Sequence, residues 1–255
     1  MKPIDEYSTT TCPIEMFFGD TYLSLGTSFT WQVGEQYYLI TNWHNLTGIN
    51  PFNGQHISDY GAEPNRIKIW YHSNTQLGVR YWEFVTLLDD DGQPLWFVHP
   101  QYGNKIDVVA LPIPPHPDVT HYPINMMSQR NLSVSIGVDL FILGYPYGID
   151  RQVWPIWKSA SIASEPEIFD DDKKYILVDT ASRPGMSGSP AILRTWGSCL
   201  LDDGAVSMVT GTSTRIFGVY SGRLASADPL DAQLGIVWPI AFVDEIIAGA
   251  TQDKK

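Results

Sequence analysis

An eight-residue stretch in the last third of the chain has the composition of a turn that presents a nucleophile. Residues 183–190 read Arg-Pro-Gly-Met-Ser-Gly-Ser-Pro, so Ser187 is flanked by Gly185 and Gly188 and a proline follows. Glycine has no side chain, and it lets backbone N–H groups gather around one point. A serine hydroxyl is a poor nucleophile at neutral pH and needs a base within hydrogen-bonding reach.

The base predicted for Ser187 is His44. Histidine suits this role because its pKa lies near the working pH. Of the six histidines, His44 follows an apolar run at residues 38–41 and precedes turn residues, so a rigid strand would carry it. His116 and His121 could form a metal-binding pair, but no carboxylate or thiol completes a set, which favours surface histidines.

Asp107 is the third candidate because it leads into the apolar run Val-Val-Ala-Leu at residues 108–111. A carboxylate at the start of a buried strand is costly unless a partner pairs with it. Seen alone, Asp107 would be a turn residue before a strand. With His44 before it and Ser187 after it, the residues run in the order His, Asp, Ser, and unrelated triad folds use different orders.

Short strand patterns with turn residues between them must position these groups. Six lie between residues 21 and 112, and six more lie between residues 140 and 237. This spacing predicts an all-β fold of two six-stranded antiparallel barrels, at about residues 15–115 and 124–239, within one domain covering residues 1–255. A proline-rich connector at residues 112–123 is expected to be extended and unpaired. A short amphipathic helix is expected at about residues 240–250.

Composition restricts the class of partner. Apolar residues make up 44% of the 255 residues, and 17% are charged with a net charge of -12. Nucleic-acid binding needs clustered Lys and Arg, so the acidic balance argues against it. No run approaches the roughly 20 apolar residues of a membrane span, and no apolar region typical of a signal peptide stands near Met1. We therefore expect a cytoplasmic protein with no membrane partner.

Two further residue classes have structural interpretations. Cys12 and Cys199 could form a disulfide, but two buried free thiols are favoured because free cysteine packs as a small hydrophobic residue. The aspartate runs at residues 89–91 and 170–172 favour hairpin loops over calcium sites, because neither continues with the spaced ligands of an EF-hand loop.

Three motifs together resemble the chymotrypsin-like (trypsin-like) serine peptidase family, in the manner of its bacterial members without disulfides. Residues 40–44 (Ile-Thr-Asn-Trp-His), 107–111 (Asp-Val-Val-Ala-Leu) and 185–190 (Gly-Met-Ser-Gly-Ser-Pro) are similar to its histidine, aspartate and serine boxes. Residues 217–222 resemble the strand that pairs with the substrate backbone, and residues 144–148 resemble a turn found in many bacterial members. The resemblance covers residues 19–249, nearly the whole chain.

The resemblance implies a serine endopeptidase with catalytic His44, Asp107 and Ser187, an acyl-enzyme intermediate, and no metal or other cofactor. It assigns the oxyanion hole to the turn Gly185, Met186 and Ser187. It assigns substrate binding to six positions, namely Ala181, Tyr220, Ser221, Gly222, Arg223 and Gly235. The expected partners are a protein or peptide substrate and a regulatory protein, as in stand-alone protease effectors.

Departures from the family pattern sharpen these expectations. Members activated by cleavage carry an aspartate before the nucleophile, and Met186 cannot make its ion pair, so activity without N-terminal processing is expected. Ala181 and Gly235 predict a small or apolar residue on the acyl side of the scissile bond, while Arg223 leaves an acidic residue as the alternative. A catalytically inactive peptide-binding module on the same fold is the second functional reading. An α/β-hydrolase is excluded by the order of the triad and by the lack of alternating helices.

Overall fold

The computed structural model describes residues 4–58, 61–148, 153–168, 173–181, 183–223 and 233–254. The predicted loop at residues 170–172 lies outside these residues. The strands, in chain order, are β1 Thr11–Phe18, β2 Thr21–Val33, β3 Gln36–Thr41, β4 Arg66–Ser73, β5 Arg80–Thr86, β6 Phe97–Val98, β7 Val109–Ile113, β8 Val119–Thr120, β9 Asp139–Gly144, β10 Ile156–Ile162, β11 Ile176–Asp179, β12 Pro190–Leu200, β13 Val206–Arg223, β14 Leu234–Pro239 and β15 Thr251–Gln252. The helices are α1 Trp43–Thr47 and α2 Ala241–Gly249, with short 3-10 helices at Glu6–Thr9, Ile124–Met126 and Pro146–Gly148.

The first region of the fold is an antiparallel sheet of nine strands. Eight strands follow the order β15-β6-β7-β3-β2-β1-β4-β5, and β8 pairs with β4. The all-β class is confirmed, but the expected six strands are too few. Three of the nine strands, β6, β8 and β15, are two residues long. Such short pairings leave no alternating pattern that a sequence could reveal.

The second region is a closed six-stranded barrel, as the sequence predicted. Its strands pair in the order β10-β11-β14-β13-β12-β9, and β9 closes the ring by pairing with β10. Strands β12 and β13 form a long hairpin whose exposed end extends past the barrel. Residues 183–189, the turn predicted to present the nucleophile and called the nucleophile turn below, lie between β11 and β12. This turn is therefore at one end of the barrel.

One hydrophobic cluster joins the two regions and the C-terminal helix. It includes Phe29 and Ile40 from the first sheet, Ile192 and Trp238 from the barrel, and Val243 from α2. All five side chains are buried. Close packing of this kind transmits position from one element to the next, so the two regions have a fixed relation at the site.

The helix predicted at the C-terminal end is present as α2, and the chain continues into a strand that the sequence did not predict. Thr251 and Gln252 pair with β6 of the first sheet. The Asp253 carboxylate then accepts hydrogen bonds from the indole N–H groups of Trp43, at 2.7 Å, and Trp96, at 3.0 Å. The tail thus contacts the first residue of α1.

The proline-rich connector differs from its prediction at two places. Val119 and Thr120 pair with Ser73 and His72 as strand β8. The prolines on either side do not prevent this, because residues 119 and 120 keep their own N–H groups. Pro112 and Ile113 also pair, with Tyr38 and Tyr37 of β3, so the expectation of an unpaired connector is wrong for these four residues.

The cysteine prediction is confirmed. Cys12 and Cys199 are both free and buried. Burial raises the pKa of the Cys12 thiol to about 11, which keeps it protonated at neutral pH. Within the described residues, neither helix is long and apolar enough to span a membrane.

Candidate active site

His44 lies at the start of a short helix that follows a buried strand. Strand β3 ends at Thr41, Asn42 is extended, and α1 begins at Trp43. Gly48 ends the helix in the left-handed conformation, φ +70°, and its N–H donates to the His44 carbonyl at 2.9 Å. Glycine adopts this conformation without the cost borne by other residues. The histidine is therefore mounted on a turn with fixed ends.

Asp107 holds both the side chain and the backbone of His44. The His44 Nδ1 atom lies 2.6 Å from Asp107 Oδ2, and the His44 backbone N–H donates to Oδ1 at 2.9 Å. The Asp107 side chain is fully buried, whereas the His44 side chain is 13% exposed. An ionised carboxylate next to Nδ1 favours the tautomer that carries its proton there, which leaves Nε2 as an acceptor.

Two neighbours complete the surroundings of Asp107, and the sequence had assigned this role to neither. The Ser221 hydroxyl donates to Oδ2, and the Asn42 side-chain amide donates to the Asp107 backbone carbonyl at 2.6 Å. Ser221 was predicted to bind substrate through its backbone. Its side chain instead donates to the carboxylate and, together with the two nitrogen atoms of His44, offsets the cost of burying the charge.

The turn around Ser187 has a backbone that only glycine fits. Gly185 has φ +92° and Gly188 has φ +87°. A Cβ on Gly188 would overlap the Thr27 carbonyl oxygen and the Thr41 hydroxyl. The sequence identified these glycines correctly as turn residues, but the close approach of β2 appears only in the structure.

The backbone of Ser187 is bonded to the elements that carry His44. Its carbonyl oxygen accepts from the Thr27 N–H at 2.8 Å and from the Asn45 side-chain amide at 3.1 Å. Asn45 follows His44 in α1, so one helix contacts both the base and the nucleophile turn. The sequence contained Asn45 beside His44, but its role depends on a contact between residues 142 positions apart.

The Ser187 hydroxyl faces the end of β13. A Cβ on Gly222 would lie 3.4 Å from Ser187 Oγ, and Gly222 has φ +91°. Gly222 follows Ser221, which contacts Asp107. Through α1 on one side and residues 221–222 on the other, the fold brings His44, Asp107 and Ser187 into one neighbourhood.

The three residues predicted for the oxyanion hole are not equivalent. The Met186 N–H donates within the turn to the Arg183 carbonyl at 3.3 Å, and the Met186 side chain is buried in the barrel core. The Gly185 N–H shares its peptide unit with the Pro184 carbonyl, which accepts from the Tyr147 N–H at 2.7 Å, and this bond fixes that peptide. Gly185 and Ser187 are therefore the better donors, and Met186 instead anchors the turn.

Among the predicted substrate-binding residues, Tyr220 supports the nucleophile turn, whereas Arg223 and Gly235 pair with each other at the adjoining strand ends. The backbone of Tyr220 bonds to the nucleophile turn in both directions, because its N–H donates to Ser189 and its carbonyl accepts from Gly188, both at 2.8 Å. Tyr220 therefore supports the turn rather than offering these groups to substrate. The ends of β13 and β14 lie next to it, with the backbone of Arg223 paired with Gly235. The side chain of Arg223 lies outside the described part of the chain.

Small residues surround the predicted acyl-side pocket. A Cβ on Gly235 would lie 2.6 Å from the Tyr220 ring and 3.1 Å from the Thr180 methyl group, so this position must stay small. Ala181 follows Thr180 and is half-buried. Nearby, burial and the positive charge of Arg183 lower the pKa of the Lys158 ammonium group. Gly235 and Ala181 thus keep the walls of the predicted pocket small.

Metal binding has no side-chain support in the described ranges. Within them, no group of three or more His, Cys, Asp or Glu side chains is arranged to hold a metal ion. His116 and His121, considered above as a pair, contact tyrosines instead. The His116 ring lies 4.7 Å from the ring of Tyr81, and the His121 ring stacks on Tyr37 at 4.5 Å.

Comparisons with known proteins agree with this geometry. Residues 26–198 match the family described as trypsin-like peptidase domain, and this segment contains His44, Asp107 and Ser187. No curated protein is significantly similar to the chain in sequence. At 11% identity, a thermostable serine protease from an extremophilic microorganism superposes with a TM-score of 0.53 over 97% of this chain and 100% of its own.

Two more solved structures have a similar fold. Protease Anisep from Arthrobacter nicotinovorans is 11% identical, with a TM-score of 0.51 over 95% of this chain and 96% of its own. A serine endoprotease from Yersinia pestis is 14% identical, with a TM-score of 0.50 over 97% of this chain and 67% of its own. At such identities, these likenesses concern the fold.

Proposed function

The chain belongs to the trypsin-like peptidase family of serine endopeptidases, and we propose that Ser187, His44 and Asp107 are its catalytic residues. The observation that carries the proposal is the double contact between Asp107 and His44, through Nδ1 at 2.6 Å and through the backbone N–H at 2.9 Å. A carboxylate that fixes both the ring and the backbone of a histidine sets its tautomer and its direction.

The proposed reaction is acyl transfer in two steps. The Ser187 hydroxyl attacks the carbonyl carbon of the scissile peptide while His44 Nε2 takes the hydroxyl proton. His44 then gives this proton to the leaving nitrogen, the C–N bond breaks, and an ester to Ser187 remains. Water attacks the ester with His44 again as base, and the Ser187 hydroxyl is restored when the acid is released.

The negative charge on the substrate oxygen is proposed to lie against the N–H groups of Gly185 and Ser187. Donors fixed in this way act without rearrangement, and each is worth about 3 kcal/mol in comparable sites. Support comes from the positive φ of Gly185 and from the Tyr147 N–H, whose bond to the Pro184 carbonyl at 2.7 Å holds the peptide that carries the Gly185 N–H. The buried Met186 supplies a non-ionic anchor for the turn, which supports activity without a newly cut N-terminus.

Substrate is proposed to extend beside residues 221–223 at the end of β13, with its acyl-side residue near Ala181 and Gly235. The small walls favour an apolar residue there. Lys158 and Arg183 make an acidic residue the second candidate, because a carboxylate would meet their positive charges. Cleavage of a peptide library varied at the acyl-side residue distinguishes the apolar preference from the acidic one.

A fluorophosphonate probe, which modifies an activated serine, tests the assignment. Wild-type protein should be labelled, and Ser187→Ala should not. Asp107→Asn should lower kcat by on the order of 10³ to 10⁴, because histidine then loses its oriented tautomer. A folded wild-type protein that resists labelling would indicate the alternative, an inactive peptide-binding module.

The same proposal includes an intracellular role under the control of a protein partner. Incubating a proteome with wild-type protein and, in parallel, with Ser187→Ala would identify cleaved proteins. Cleavage that occurs only with added cell extract would support a required partner. If a purified substrate is cleaved equally well with and without extract, no protein partner is required.

A further inference from the structure

A second cavity opens next to the nucleophile turn, on the side of the first sheet. Its volume is about 420 Å³. Its walls come from β1, β2, β4, β5 and the residues around the described ends of the loop between β9 and β10. Its lining includes Pro13, Glu15, Tyr22, Leu25, Trp70 and Arg80.

Leu25 places this cavity beside the reacting atoms. A Cβ on Gly185 would overlap a methyl group of Leu25, so that side chain lies against the nucleophile turn. Two residues further along β2, the Thr27 N–H donates to the Ser187 carbonyl at 2.8 Å. Both residues that flank Gly26 thus contact the turn, and Leu25 and Gly26 themselves line the cavity.

The direction of a bound substrate follows from the two sides of Ser187. Its hydroxyl faces Gly222 at the end of β13, where the proposed function places the acyl half of the substrate. Its carbonyl is bonded to β2 on the other region of the fold. A chain that crosses Ser187 in extended form therefore continues past the scissile bond along β2 and reaches the cavity.

The charged side chains of the cavity are already engaged. Arg80 donates to the Trp70 carbonyl and the Tyr145 hydroxyl, both at 2.7 Å, and to the Val153 carbonyl. Glu15 accepts from the Trp70 indole at 3.2 Å and lies 3.9 Å from Lys68 Nζ. Arg80 already donates to three neutral oxygens and Glu15 lies beside Lys68, so a charged occupant would lose hydration while competing with bonds that exist.

The remaining surface is apolar and aromatic. Pro13, Leu25 and Val153 provide aliphatic walls, and the rings of Tyr22 and Trp70 face the same space. Val153 is held at φ +72°, an unusual and costly conformation for a β-branched residue, and Arg80 bonds its carbonyl. A strained wall fixed by a half-buried arginine is a built feature of the site.

We propose that this cavity is a subsite for a large apolar or aromatic side chain in the leaving half of the substrate, within about three residues of the scissile bond. This inference rests on the proposed function. It adds a second determinant of specificity, on the side of the substrate that leaves first. Burial of one such side chain in an apolar pocket changes kcat/KM by roughly 10- to 100-fold.

Two kinds of substrate separate the subsite from the catalytic centre. Peptide p-nitroanilides have no residue beyond the scissile bond, whereas internally quenched peptides can be varied at the first three leaving-side positions. We expect Phe or Leu at one of these positions to exceed Ser, Glu and Lys by at least about tenfold in kcat/KM. Tyr22→Ala and Leu25→Ser should each reduce that preference by several-fold. Tyr22→Ala should also cleave p-nitroanilides at the wild-type rate.

A matched control and a binding measurement complete the test. Trp196→Ala removes an exposed aromatic ring from the barrel hairpin and should leave the preference intact. In Ser187→Ala, the same peptides should rank in the same order by Kd. If p-nitroanilides are cleaved but the leaving-side profile is flat, the subsite is wrong and the enzyme assignment stands. If neither substrate class is cleaved and the probe does not bind, the proposed function fails. In that case the subsite is still tested, because equal Kd values of Ser187→Ala for the Phe and Ser peptides would overturn it.

Discussion

The acid–base pair and the nucleophile turn come from different regions of the fold and are held by different kinds of contact. Around His44, side chains do the positioning, because Asp107 holds the ring while Asn42 and, from barrel strand β13, Ser221 bond to Asp107. At the end of the barrel, the backbone does it. Glycines with positive φ shape the turn around Ser187, and N–H groups of Tyr220 and Thr27 bond to it.

This difference predicts how each region tolerates substitution. A side-chain contact can be replaced by a similar group with a graded loss. A backbone contact that depends on glycine fails abruptly, because any Cβ meets a fixed carbonyl oxygen. The first region also carries all six histidines of the chain, so its stability should depend on pH in a way that the barrel alone would not.

Gly188→Ala should have the largest effect and would break the backbone-held region. The new Cβ would overlap the Thr27 carbonyl, and alanine is strained at φ +87°. We expect unfolding free energy to fall by about 3 kcal/mol or more and probe labelling to slow by about 100-fold.

Gly204→Ala is the matched control for this change. Gly204 has a similar φ of +81°, but nothing lies within 4 Å of its Cβ position. The Gly204→Ala variant should lose about 1 kcal/mol of unfolding free energy from strain alone and should keep the wild-type rate of probe labelling. Urea unfolding and labelling kinetics measure both variants. Equal losses in the two would show that backbone strain, and not contact with β2, sets the requirement for glycine.

Asp253→Ala should have an intermediate effect and tests graded loss in the region held by side chains. The change leaves the indole N–H groups of Trp43 and Trp96 without the carboxylate. We expect a loss of about 2 kcal/mol in unfolding free energy and a fall of about tenfold in kcat/KM through movement of α1. Asp253→Asn keeps one acceptor oxygen and should recover part of both.

Glu245→Ala removes a comparable contact away from α1. Glu245 accepts from His99 Nε2 at 2.8 Å and joins α2 to the first sheet. This variant should lose stability and retain kcat/KM. A parallel fall in activity for both variants would mean that Asp253 acts through general stability instead of through His44.

His72→Phe should have the smallest effect at neutral pH and sharpens the comparison at acid pH. Burial, assisted by the charge of Arg80, lowers the pKa of His72 from 6.5 to about 3. Between these values the unfolded chain binds a proton that the folded chain does not. The folded state therefore loses stability as pH falls from about 6.5, with a slope that approaches about 1.4 kcal/mol per pH unit.

The phenylalanine variant removes this contribution. Its unfolding free energy should fall less steeply than that of wild type between pH 6 and pH 4, as urea titrations at each pH would show. His121, whose pKa burial lowers to about 4, leaves a residual slope in the variant. Identical slopes in the variant and wild type would rule out His72 as a source of acid sensitivity.

Much of the fold was visible in the sequence because most strands of four or more residues alternate in burial or form apolar runs. The barrel strands and α2 have such patterns, and they were predicted. Strands β6, β8 and β15 have two residues each, and their pairing depends on distant partners. Strand β1 was also missed, although its buried residues alternate along half its length.

The candidate site shows the same division at the level of residues. His44, Asp107 and Ser187 were found because each lies in a local run with a recognisable composition. Ser221 was assigned to substrate, and Tyr220 likewise, because position along β13 does not reveal which groups are already bonded. The structure gives Ser221 a contact with Asp107 and gives Tyr220 two bonds to the nucleophile turn.

The sequence by itself determined the chemistry available to this protein, since residue types and their order specify a base, an acid and a nucleophile. It also determined that glycine is needed at the turn, because that requirement arises from local backbone sterics. Only the tertiary structure decided which neighbours hold each group. Asn45 bonds to Ser187, Ser221 to Asp107 and Asp253 to Trp43 across long stretches of chain. Such contacts exist only once the sheet, the barrel and the C-terminal tail have packed together.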